Sequence, residues 1–284
     1  MKRALVLGGG GVVGIAWETA VVGTLLEHGV DLREADLVVG TSAGSMVGTR
    51  IAAGHDVRTP PERALKVPVP DGGPDLAALG RIFSHWSALT ETTPQDCATI
   101  GAWAIDARTG PEAEWIAATG GSLGVPDWPG TALRLSTVDA RSGARALWGG
   151  GDAVPLARAV AASCAVPGMF PPVELAGRLH IDGGVWSGTH ADAAAAIAPD
   201  RVVVIAPITE GTAAFGPLAD RALAAEVRVC EQAGARVVVV RPEAAEKAAF
   251  GPDLMSPAAA EKAAEAGIVR ARGLAEGALA GWNG

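Results

Sequence analysis

The residues best suited to chemistry lie in Gly40-Thr41-Ser42-Ala43-Gly44, directly after the apolar run Leu37-Val38-Val39. Gly-x-Ser-x-Gly is the spacing that relieves crowding around a serine forced into a tight strand-to-helix turn, where its hydroxyl stands exposed as a nucleophile. The plainer use is a tight connection, and a chain with 38 glycines meets the pattern by chance. The surrounding pattern favours the nucleophile, because a β-like run precedes Ser42 and a helical pattern follows it.

A second cluster, Gly8 to Gly14, lies one βαβ unit upstream and contains Gly9-x-Gly11-x-x-Gly14. That spacing is also the dinucleotide fingerprint, which expects an acidic residue at the end of the second strand for a ribose hydroxyl. Here that strand ends in Gly40-Thr41-Ser42, with Asp31, Glu34 and Asp36 before it, so the ribose contact is missing. The other use of a side-chain-free loop at a helix N-terminus is to converge backbone N–H groups on an anion. Beside an attacked carbonyl this makes an oxyanion hole.

A serine hydroxyl needs a base. The stretch RLHIDGGVWSGTHAD offers His180, Asp182 and His190. Two-residue alternation puts His180 and Asp182 on one side of a strand. In one reading the order Ser42, Asp182, His190 is a triad; in another the carboxylate acts directly. A third makes Asp182 a turn residue before two glycines. A metal site lacks a second ligand group of matching spacing.

The elements that must position these groups follow from periodicity. RALVLGG, ADLVVGT, ALRLSTVDA, RVVVIAPI and RVVVVRPE read as strands, several as continuous apolar runs covered on both faces. Helical patterns alternate with them, which predicts an α/β fold: a three-layer α/β/α arrangement around a central, mostly parallel sheet. Val13, Trp17, Val21 and Leu25 recur every four residues and Gly29 stops that helix; a second helix follows Ser42 to near Gly54. Hairpins are expected to turn at Arg141-Ser142-Gly143 and at Ala176-Gly177, with a helix between them that Pro167 and Gly168 end. The Ala-rich tail from Pro257 reads as a docking helix.

The chain is read as one domain over 1–284, with residues 55–130 a variable cap or insertion: a lid or a surface excursion. Trp86, Trp103, Trp115 and Trp128 in that segment suit either an acyl groove or the core. With 49% apolar and 19% charged residues the chain is globular, and a net charge of -8 speaks against nucleic acid. Cys97, Cys164 and Cys230 lack metal or disulfide spacing and read as buried thiols in a reducing, cytoplasmic setting. MKRALVLGGGGVVGIAW is read as a first strand and loop, not a signal peptide, and no apolar run reaches the ~20 residues of a membrane span.

GGGGVVG, GTSAG, AVPGMFPPV and DGGV, in this order, resemble the patatin-like phospholipase family, bacterial type, over most of residues 3–210. The resemblance implies a patatin-like fold and a Ser-Asp dyad that hydrolyses lipid acyl esters without a cofactor. It makes Ser42 the nucleophile, Asp182 the base and Gly9, Gly10 and Gly11 the oxyanion loop. It also implies a lipid or acyl-ester substrate and transient contact with a membrane surface. Two positions depart from the pattern: Val13 stands where the family often has arginine, and His190 where many members have asparagine. The alternatives are a Ser-Asp-His esterase and a non-catalytic nucleotide-binding or scaffold module.

Overall fold

The structure, a computed structural model, describes residues 1–58, 73–130 and 132–282. Strand β1 (Arg3–Leu7), helix α1 (Gly11–Glu27), strand β2 (Leu37–Gly40) and helix α2 (Ala43–Ala52) form the expected βαβ unit and its continuation. Helix α1 is buried from Val12 to Leu25. A helix apolar on every side needs cover on every side. The sheet supplies one cover, and the last helix supplies the other.

Three helices, α3 (Leu76–Ala88), α4 (Pro94–Asp106) and α5 (Glu112–Leu123), lead to a hairpin of β3 (Ala132–Asp139) and β4 (Arg145–Trp148). After α6 (Leu156–Ser163), a second hairpin pairs β5 (Val173–Leu175) with β6 (Arg178–Asp182). Strand β7 (Arg201–Ile205), α7 (Gly216–Gln232), β8 (Arg236–Val240), α8 (Ala244–Phe250) and α9 (Pro257–Glu276) complete the order. Helix α9 docks on α1, where Gly267 lies against the Trp17 ring. The five strands read from sequence are β1, β2, β3, β7 and β8, all mutually parallel where they pair; β4, β5 and β6 add antiparallel pairings.

Alternation along the central strands separates two core layers. Leu5, Leu7 and Val38 face α1 and α2, whereas Ala4, Val6, Val39 and Val204 face Leu223 and Cys230 of α7. Helices α3 and α4 have no separate core: Ala78, Ile82, Cys97 and Ile100 pack with Val138 and Ile181 of the sheet and with Ala140 just after β3. The proline-rich part of the expected cap, 59–72, lies outside the described residues.

The register of β3 matters most for the site. Leu135 pairs with Gly40 on one edge and Trp148 on the other, and Thr137 pairs with Ala146 and Asp182. Since β4 occupies one edge from Leu135 to Val138, overlapping both pairings, β2 and β6 must share the opposite one. Strand β6 therefore starts pairing just beyond the point where β2 stops, and Asp182 arrives at the end of β2 where Ser42 emerges.

One helix boundary differs from the sequence expectation. Helix α6 ends at Ser163, before Pro167 and Gly168. The Ala165 carbonyl accepts from Asp182 N–H instead of continuing the helix, and a residue preceding proline disfavours helical geometry, which straightens the chain at Val166.

Candidate active site

Ser42 has φ 52° and ψ −116°, a conformation that L-residues avoid. The surroundings hold it there. Its N–H donates to Ser163 Oγ at 3.0 Å, and its carbonyl accepts from Ser45 Oγ at 2.6 Å and Cys164 Sγ at 3.3 Å. Gly44 lets the turn close, because a Cβ there would lie 2.1 Å from the Leu7 carbonyl oxygen. Thr41 hydrogen-bonds Ser136 of β3 at 2.7 Å, fixing the chain just before the bend.

Asp182 is 4% exposed and lines the same cavity as Ser42, whose hydroxyl is near enough to lower the carboxyl's pKa. It also caps the short turn Gly183–Val185, taking the Gly184 N–H on Oδ1 at 2.7 Å. The turn-aspartate reading and the proximity to Ser42 therefore hold together. Burial pushes its pKa up to about 7, against the lowering effect of the nearby Ser42 hydroxyl and of the Gly184 N–H. A carboxyl near neutrality can take and return a proton.

The glycine loop runs beside Ser42. Gly9 N–H is spent on the Gly188 carbonyl at 2.8 Å, whereas Gly10 and Gly11 N–H meet no acceptor among the described residues. Gly11 has φ 60°, and a Cβ there would strike the Leu254 carbonyl oxygen at 2.6 Å. Both free donors sit at the start of α1, where the helix dipole favours negative charge. Val13, in the place of the family's arginine, is fully buried, and its N–H holds the Leu254 carbonyl.

Gly9, Gly10, Gly11, Ser42 and Asp182 line one cavity of about 380 Å³. Its other walls are mainly apolar: Phe83 and Trp86 of α3, Val166 and Met169, Ile208 and Phe215, Leu254 and Met255. Of the four tryptophans in the expected cap, Trp86 alone lines it. Trp115 stacks on Phe170 at 3.8 Å in the core, Trp128 donates to the Val154 carbonyl, and Trp103 packs against His85.

The histidines occupy other positions. His180 is bound to Thr137 Oγ1 at 2.9 Å and lies edge-on to Trp148, and burial pushes its pKa down to about 4. His190 is fully buried, with Nε2 on the Gly183 carbonyl at 2.9 Å, and it does not line the cavity. The three thiols are buried and free, and burial pushes Cys164 up to about 12. Sequence reasoning read Cys164 as a buried thiol but missed its contact with the Ser42 carbonyl, and it missed Ser163 and the wall formed by Phe215, Leu254 and Met255, none of which carries a recognisable spacing.

The sequence model of the patatin-like phospholipase family matches residues 5–72 and 78–195. The lysophospholipase NTE1 of Saccharomyces cerevisiae is 31% identical over 187 residues, covering 63% of this chain. This chain spans 9% of that relative's length. Among solved structures, VipD from Legionella pneumophila aligns with a TM-score of 0.48 and 13% identity, over 97% of this chain and 66% of that one. The type III effector ExoU aligns with a TM-score of 0.44 and 15% identity, over 95% and 52%.

Proposed function

From the premise that this chain belongs to the patatin-like phospholipase family, we propose that it hydrolyses lipid acyl esters through Ser42 and Asp182. The observation that supports this most is that the Ser42 hydroxyl and the Asp182 carboxyl share one apolar cavity, near enough for the hydroxyl to lower the carboxyl's pKa. Asp182 accepts the Ser42 proton as Oγ attacks the acyl carbonyl. The N–H groups of Gly10 and Gly11 stabilise the oxyanion, each donor contributing about a hundred- to a thousandfold in rate. Collapse of the tetrahedral intermediate breaks the ester bond, and the leaving alkoxide takes the proton from Asp182. Water, deprotonated by Asp182, then attacks the acyl-enzyme and releases a carboxylic acid.

The triad alternative has less support, because the His190 ring is occupied by the Gly183 carbonyl and stands outside the cavity wall. Substrate contact at a lipid surface is part of the proposal. Helix α3, which supplies Phe83 and Trp86 to the wall, begins with Leu76 held 75% exposed. Hydrolysis of p-nitrophenyl acyl esters by the folded protein tests the function. Ser42→Ala and Asp182→Asn should each abolish it; a Ser42→Ala protein of undiminished activity would refute the reading.

A further inference from the structure

A second cleft, of about 520 Å³, lies behind the cavity wall; Trp186, Leu218 and Ala222 line its near end, and charged side chains, among them Arg145, Asp192 and Glu226, line the rest. The two spaces are separated by a neck of only about 10 Å³. The neck shares Trp86, Gly184 and Phe215 with the main cavity, and Trp186, Leu218 and Ala222 with the cleft. Trp86 and Phe215 stack face to face across this position, with ring centroids 4.3 Å apart and planes 5° from parallel.

Phe83 braces both rings, at 6.1 Å from Trp86 and 6.0 Å from Phe215. The stack joins α3 to the residue that caps α7, two elements distant in sequence. Phe215 itself is held at the start of α7 because Gly216 fits under the Thr209 carbonyl, where a Cβ would come within 2.1 Å. The wall is thus thin, rigid and aromatic, with open volume on both sides.

We propose that the Trp86–Phe215 stack is the chain-length stop of the site. This rests on the acyl-hydrolase reading for its substrate, but the wall is a property of the cavity itself. An alkyl chain directed along the apolar wall ends at the stack, and methylenes beyond it find no room to be buried. Removing the Phe215 ring opens the neck, where the vacated space and the walls of Trp186, Leu218 and Ala222 bury further methylenes before the charged cleft begins. Admission of two further methylenes tightens binding by about tenfold.

The test is a binding series that needs no turnover: calorimetric Kd values for fatty acids from hexanoate to stearate on the Ser42→Ala protein, with and without Phe215→Ala. Without the second change, affinity should rise with length and then level off. With Phe215→Ala the plateau should move to longer chains, with stearate tightening at least tenfold relative to octanoate. Adding Ala222→Trp should refill the neck and restore the shorter plateau. The same plateau before and after Phe215→Ala, in folded proteins that bind octanoate, overturns the stop. Length-dependent binding that shifts as expected while wild-type protein cleaves no ester leaves the stop standing and rejects the hydrolase reading. No binding of any fatty acid rejects the cavity as an acyl site, and the stop with it.

Discussion

The backbone N–H of Ser42 and the hydroxyl of Ser163 are hydrogen-bonded at 3.0 Å although 121 positions separate them. That bond holds the strained bend of β2 and α2 to the end of α6. Replacing Ser163 with alanine should leave a buried N–H unpaired and cost about 1–3 kcal/mol in urea unfolding. Fluorophosphonate labelling of Ser42 should slow in the same variant at temperatures where it is fully folded. Unchanged stability and labelling would show that the bend holds itself.

The acidic limb of activity should belong to Asp182, whose pKa burial raises to about 7. The free-enzyme profile of kcat/KM should rise through that pH as the carboxyl ionises. Stability runs the other way. A carboxyl whose folded pKa exceeds its unfolded value binds more protons when folded, so stability falls as pH rises from about 4 to about 7. Asp182→Asn removes that slope, and its Tm should gain on the wild type over this interval; parallel Tm curves would contradict the assignment.

Two glycine substitutions separate folding from chemistry. Gly44→Ala drives a methyl to within 2.1 Å of the Leu7 carbonyl oxygen. Thermal unfolding should show a loss of about 3 kcal/mol or more. A Cβ at Gly9 meets Ser42 Cβ at 3.4 Å, an ordinary contact. Gly9→Ala should therefore fold, with a lowered kcat/KM because the added methyl crowds the nucleophile.

His190→Ala should weaken the fold more than the chemistry. The ring binds the Gly183 carbonyl at 2.9 Å, and its removal should cost about 1–3 kcal/mol of unfolding free energy. Labelling of Ser42 in the folded variant should stay within a few-fold of wild type. A folded His190→Ala protein that resists labelling would replace the dyad with a triad.

Much of this arrangement is readable before any coordinates. Residues 3–52 form a local βαβ pattern whose periodicities and glycines place Ser42 at a strand end, and the hairpins at Gly143 and Gly177 follow from their turn residues. The pairing of Thr137 with Asp182 is different, since it depends on which edge of β3 each hairpin takes. No local preference encodes that choice. The aromatic wall is equally silent in sequence, because Trp86 reads as well for core as for groove, and Phe215 meets it only after the sheet has brought α3 and α7 together. Gly9 illustrates the same limit: its place in the loop is legible, but the loss of its N–H to Gly188 is a tertiary fact.

The central claim is that Ser42 is a nucleophile made reactive by Asp182, and covalent capture tests it most directly. Wild-type and Asp182→Asn proteins, both folded, would be incubated with a fluorophosphonate and the adduct mapped by mass spectrometry. The prediction is a single modified residue, Ser42, in the wild type and labelling slowed at least a hundredfold, the low end of a general base's contribution, in Asp182→Asn. Modification at another residue, or equal rates in the two proteins, would contradict it.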